Sequence, residues 1–261
     1  MIGPNFLIYV SWQGQKDDAK VRSFASILKL APYDAKVMLG APGPRKVAAH
    51  LKIEDAERQV LELRQAGFTA ILVDKQKFSR APALFRATRA VETPQGMTFS
   101  LEKLPDFELP KGLARAVVLG YYTESTRHTS NVGPRGFSTT ISGTTRVRNP
   151  FIHVYSDDVH TVLDIRGPKF EYAWLDGQGL PSAEQRWPKL AERLAAYYGA
   201  FLDTTLFKYP DEIGAITMAL NVMAESGKQA SASTGGDSLS DDTPVALAAS
   251  RVIVQCRVYG L

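Results

Sequence analysis

The sequence predicts an α+β protein in two parts, an N-terminal small α/β sandwich and a C-terminal antiparallel-sheet domain with two packed helices. Three observations carry this. Within residues 1–75, short apolar β-branched runs alternate with amphipathic helical stretches. Further on, runs at 114–122, 151–155 and 160–165 read as strands, followed by two helices with apolar stripes. Finally, a chain of 261 residues exceeds what one hydrophobic core usually organises, since single cores rarely grow much past about 250 residues.

In the first part, Asn5 to Ser11 reads as a buried strand. Asp17 or Asp18 can cap a helix in which Val21, Phe24, Ala25 and Leu28 fall at i, i+3, i+4, i+7, one stripe against a sheet. Pro32 opens a shorter helix through Leu39, ended by Gly40 and the Pro42-Gly43-Pro44 break. Arg45 to Leu51 returns as a strand, Glu54 to Ala66 is a helix with Ala56, Val60 and Leu63 inward, Gly67 stops it, and Phe68 to Asp74 is the next strand.

Asp34-Ala35-Lys36, Leu39, Gly40-Ala41-Pro42 with Pro44, Lys52-Ile53-Glu54-Asp55-Ala56-Glu57 and Ala66-Gly67 together resemble the C-terminal domain of the bacterial ribosomal stalk protein over residues 28–74. The resemblance implies that fold, and a helical lysine face that binds other proteins. Lys36, Lys46 and Lys52 match or neighbour its basic positions. The chain departs from the family in its added opening strand and helix, in lacking the dimerisation segment and Ala-rich hinge, and in its large unrelated C-terminal part. The same fold is similar to the adaptor that delivers substrates to the Clp protease.

Residues 76–112 read as a linker or the edge of the first part, with a helix from Ala81 to Ala90, a strand from Met97 to Leu101 and a break from Pro105 to Pro110. The second domain then covers 113–261. Ala114 to Tyr122 is a strand. Thr123 to Thr145 holds eleven Ser and Thr and four Gly or Pro, so segment 123–148 is expected as a mobile loop or a long, weakly paired hairpin. A helix near Pro188 to Tyr198 shows Leu190, Leu194 and Tyr197 on one face; another from Pro210 to about Ala224 shows Ile213, Ile216, Leu220 and Met223. Residues 226–243 are polar enough to stay disordered. Val245 to Tyr259 ends the pattern as a strand, although Ala246 to Ser250 also fits a helix.

The chemistry-bearing residues are few. With Asp157-Asp158 as a tight turn, Tyr155 faces His160 and His153 faces Val162, which puts His153, His160 and Asp164 on one face. That trio can hold zinc or do acid–base work. The opposite face, with Ile152, Val154, Leu163 and Ile165, is the apolar one, so the histidines are expected in solvent. Arg127, Arg135, Arg146 and Arg148, set among glycines and hydroxyls, can grip phosphates. Asp164, Lys169 and Glu171 lack the Glu-x-Lys order of a metal-dependent nuclease. No Gly-x-Ser-x-Gly, His-Glu-x-x-His or paired-Cys motif occurs, and no cofactor or metal is implied. The single Cys256 sits among Val252, Ile253, Val254 and Val258 as core filler.

Residues 1–150 hold 22 Lys and Arg against 13 Asp and Glu, and the remainder 9 against 14. A basic first half favours an acidic protein partner, with nucleic acid as the other candidate. No window approaches the roughly 18 apolar residues of a membrane span, and the opening Met-Ile-Gly-Pro-Asn has no signal-like basic region, so no membrane association and a cytoplasmic location are expected. The functional expectation is a non-enzymatic adaptor or scaffold docking through its first module. The alternative is a metal-dependent phosphoryl-transfer or nucleic-acid-processing enzyme, or a nucleic-acid-binding protein, acting through the second part.

Overall fold

Residues 6–74 follow the expected order: β1 (Phe6–Ser11), α1 (Asp18–Leu28), α2 (Pro32–Leu39), β2 (Arg45–His50), α3 (Ile53–Gln65) and β3 (Thr69–Asp74). The structure, a computed structural model, describes residues 5–12, 14, 17–78, 82–132, 139–157, 160–167, 170–171, 182–220, 225–226, 238–241 and 243–258. β1 lies between β2 and β3, antiparallel to both. Asp17 caps α1 by accepting the Lys20 amide at 2.6 Å, and Gly67 takes the left-handed conformation (φ 83°) that stops α3. Ile8 and Val10 point to the three helices, where they meet Phe24, Leu39 and Leu63. Leu7, Tyr9, Ile71 and Val73 alternate to the other face and join a second core.

The chain continues through α4 (Lys75–Phe78), β4 (Ala83–Glu92), β5 (Gly96–Leu101), β6 (Leu104–Pro110), β7 (Ala116–Val132), β8 (Thr139–Tyr155), β9 (Thr161–Arg166), α5 (Ala183–Tyr198), β10 (Phe201–Asp203), α6 (Thr205–Lys208) and α7 (Glu212–Thr217). A 3-10 turn (Met218–Leu220), β11 (Glu225–Ser226), β12 (Ser238–Asp241) and α8 (Thr243–Arg257) complete it. β4 to β12 form one sheet, ordered β11-β12-β7-β8-β9-β4-β5-β6, with β10 added to β7. It is antiparallel except at β4–β9 and β10–β7, so the α+β class holds.

Two expectations are corrected. The stretch read as helix at 81–90 and the break at 105–110 are strands β4 and β6 of the large sheet, flanking the expected strand at 97–101, which is β5. Of the two forms expected for segment 123–148, loop or hairpin, the structure takes the hairpin, its strands paired without interruption from Ala116–Tyr155 to Val132–Thr139; its tip and most of 226–243 lie outside the described residues. The stretch read as a closing strand is helix α8.

α8 explains the layering. Ala246, Ala249, Val252, Ile253 and Cys256 are all at most 1 % exposed, because α8 lies between the small sheet (Leu7, Tyr9, Val73) and one face of the large sheet (Ala116, Val118, Val162). A helix buried on nearly every side belongs inside, and its polar exceptions, Ser250 and Arg251, bond to the neighbouring layers. α5 covers the other face of the large sheet, setting Trp187, Leu190 and Leu194 on Val117, Ile152 and Ile165. The order is therefore helices, small sheet, α8, large sheet, α5. Gly120 is needed where α6 crosses β7, since a Cβ there would stand 2.8 Å from Leu206 Cβ.

Polar ties cross these layers. Tyr9 donates its hydroxyl to the Ile216 carbonyl at 2.8 Å. Arg45 forks onto Glu212. Arg257 pairs with the fully buried Asp203 and donates to the Pro42 carbonyl at 2.8 Å.

Candidate functional site

His153 and Asp164 stand directly opposite each other on β8 and β9. The register lies two residues from the expected one, pairing Tyr155 with Val162, because the connecting turn is longer than Asp157-Asp158 alone. Their shared face is not in solvent. α8 covers it, leaving His153 at 1 % and Asp164 at 0 % exposure. His160 is exposed and sits four residues along β9 from Asp164, about 13 Å at strand spacing, so the three do not assemble.

In place of His160, His153 meets Ser250 from α8. Its Nδ1 lies 2.8 Å from Ser250 Oγ, which also bonds Tyr155 OH and donates to the Leu247 carbonyl at 3.0 Å. His153 Nε2 is 3.5 Å from Asp164 Oδ1, and Arg166 Nε is 2.7 Å from Asp164 Oδ2, with Arg86 Nε at 3.5 Å. Ser, His and Asp in a chain invite a nucleophilic reading, but a nucleophile needs an open path to a carbonyl and an imidazole nitrogen between it and the substrate. Ser250 is 0 % exposed, and its serine faces Nδ1 rather than Nε2. The arrangement stitches α8 to the large sheet.

Electrostatics agree. Burial holds His153 below the usual imidazole value, outweighing the pull of Asp164. Burial alone would raise the Asp164 carboxyl, but contacts with His153 and Arg166 overcome it and hold the group at about 2. The stable state is neutral His153 with Asp164 ionised against Arg166. Ser250 was missed in the sequence because a lone serine in an Ala-rich run gives no signal; the mixed reading of 246–250 was the only hint.

Lys36, Lys46, Lys52, Arg146 and Arg148 are exposed but dispersed. Lys36 lies on α2 beside Tyr33 (76 % exposed) and Val37 (57 %), at i, i+3, i+4 spacing on one stripe. Lys46 pairs across to Tyr9, whose ring points away from α1–α3, so Lys46 belongs to the opposite side of the small sheet from Lys36. Lys52 is exposed at the N-cap of α3, with no side-chain cap hydrogen bond. On the hairpin, Arg146 and Arg148 are exposed and pair with Ser125 and Thr123 on one face; Arg148 stands 3.9 Å from Asp211. Arg127 pairs with Thr144 one step further out, and Arg135 lies outside the described residues.

Among the described residues, no three His, Cys, Asp or Glu side chains gather as a metal site, and no helix is long and apolar enough to cross a membrane. No family model, curated protein or solved structure matches the chain, so the likeness of residues 28–74 to the stalk domain rests on its motifs alone.

Proposed function

We propose that the protein is a non-enzymatic interaction protein, an adaptor or scaffold, that docks an acidic protein partner through α2 of its first module. One observation carries the reading: Tyr33, Lys36 and Val37 form a continuous exposed stripe of aromatic, cationic and aliphatic side chains on one helix face. An aromatic anchor beside a cation is the composition that concentrates binding energy at interfaces. The motif likeness at residues 28–74 and the basic first half point the same way. The competing enzymatic reading loses support because His153 and Asp164 are closed off and His160 stands apart.

The test is capture of partner from the native host by wild type, by Tyr33→Ala/Lys36→Glu and by Lys46→Glu, the last on the opposite side of the sheet. The double variant should lose at least about tenfold in capture while Lys46→Glu behaves as wild type. Equal capture by all three would remove α2 as the docking face.

A second reading has its own observation, the Arg146 and Arg148 pair on a Ser/Thr-rich two-stranded ribbon. Such a ribbon can lie along a phosphate backbone. It requires binding of nucleic acid that weakens steeply with added salt and is reduced in Arg146→Ser/Arg148→Ser. Salt-independent or absent binding speaks against it.

A further inference from the structure

The α2 stripe has its complement on the same molecule. Outside α2, the exposed large apolar side chains that stand on an α-helix, among the described residues, are Ile53 and Leu61, both on α3. Leu61 is 56 % exposed. It shares a stripe with Glu54 and Glu57, at i, i+3, i+7 spacing, and both carboxylates are exposed. An apolar side chain set beside carboxylates is the chemistry that Tyr33, Lys36 and Val37 select. α2 and α3 bury their inner faces, Ala35 and Leu39 on one and Ala56, Val60 and Leu63 on the other, in the same core. Their outer stripes therefore cannot meet within one chain and can meet only between two.

Charge also fixes the direction of such a contact. At about 100° per residue, Tyr33 and Val37 run along the middle of the outer face of α2, with Lys36 on one flank and Asp34 on the other. On α3, Glu54 and Leu61 hold the middle, Glu57 one flank, and Arg58, which pairs with Asp55 at 2.5 Å, the other. Packed parallel, the two helices would set Lys36 against Arg58 and Asp34 against Glu57, and like charges repel. Packed antiparallel, Lys36 meets Glu57, Asp34 meets Arg58, and Tyr33 meets Leu61. Along the axis Asp34 and Lys36 stand about 3 Å apart and Arg58 and Glu57 about 1.5 Å, a mismatch that long side chains absorb.

We infer that the partner of α2 is a second copy of this chain, whose α3 lies antiparallel on it, Lys36 against Glu57, with Tyr33 and Val37 covering Leu61. This rests on the docking reading of α2 and supplies its partner. A helix of eight residues offers less than the roughly 1,000 Å² of a stable interface, so the association is reversible and weakens with added salt.

The experiment is sedimentation velocity of the full chain over about 1–200 μM at low salt. The samples are wild type, Lys36→Glu, Glu57→Lys, an equimolar mixture of these two, the double variant Lys36→Glu/Glu57→Lys, and Lys46→Glu as a control on the opposite side of the small sheet. Wild type and Lys46→Glu should gain mass with concentration. Each single reversal sets like charges face to face and should weaken association at least about tenfold. The mixture and the double variant bring opposite charges together again and should recover it. If a reversed variant does not fold, the exposed truncation Leu61→Ala should still weaken association about tenfold and decides the matter. A wild type that stays monomeric throughout, single reversals that associate as wild type does, or a mixture no better than its components would each overturn the inference. The docking reading is judged separately: if Tyr33→Ala/Lys36→Glu loses capture of a different host protein while purified wild type stays monomeric, α2 remains a docking face and the second copy is removed as its partner.

Discussion

Asp164 keeps its charge without any contact with water because Arg166 and Arg86 face one of its oxygens and His153 the other. Removing that charge alone, as in Asp164→Asn, takes away the ionised oxygen that lies 2.7 Å from the Nε of Arg166, itself 7 % exposed. The expected destabilisation is about 1–3 kcal/mol, read from urea unfolding at pH 7; an unchanged stability would mean that the pair contributes nothing net to the fold. The same residues set the response to acid. Asp164 titrates at about 2 in the folded chain against an ordinary 3.8, so the unfolded chain binds the proton first and stability is lost as pH falls from about 4 towards 2. His153 is also depressed: its contribution is complete above pH 6.5 and drains below it, as the unfolded imidazole protonates while the buried one resists. Both slopes run the same way, so thermal stability should fall in two stages on acidification. His153→Gln should flatten the upper stage and leave the lower one in place.

At the level of elements, what could be read from the sequence followed from how many faces each element buries. α1 and α3 bury one stripe each, and Val21 with Phe24, or Val60 with Leu63, announce it. β4 misled because Ala87 and Ala90, three apart as on a helix, are both buried in the same core. A bulge between Ala87 and Arg89 shifts the strand register and makes this possible. α8 misled in the opposite direction: burial all round erased the helical period and left a β-branched run, Val252-Ile253-Val254, that resembles a strand. The face holding His153 reads as the solvent side because Ile152, Val154, Leu163 and Ile165 make the opposite face the apolar one, yet α8 covers it through Ser250. One helix end was legible in its cap but not in its stop. α1 terminates on Lys29 in the left-handed conformation (φ 53°), where a side chain is strained and glycine is not. Lys29→Gly should therefore raise stability by about 0.5–1 kcal/mol, measured by thermal unfolding; a decrease would place the strain elsewhere.

Across the whole molecule, α8 is the layer that both sheets share. Truncating it at Ile253, which is fully buried in the core common to Tyr9 and Val118, should reduce stability by about 2–5 kcal/mol. Amide exchange should accelerate on both sides of the helix, at β1 as well as β7. Exchange that changes only in the large sheet would show that the small sheet holds itself together, and that Tyr9–Ile216, Arg45–Glu212 and Arg257–Pro42 are incidental contacts.

The position of α8 in the chain also sets the order of assembly during synthesis. Every strand of both sheets is translated before the helix that separates them, so the apolar undersides formed by Leu7, Tyr9, Val118 and Val162 wait on the ribosome without their cover. Contacts spanning more than two hundred residues close last and slowly. Until α8 emerges, the nascent chain therefore keeps these apolar faces open to solvent, and the final packing of both sheets waits on its last helix.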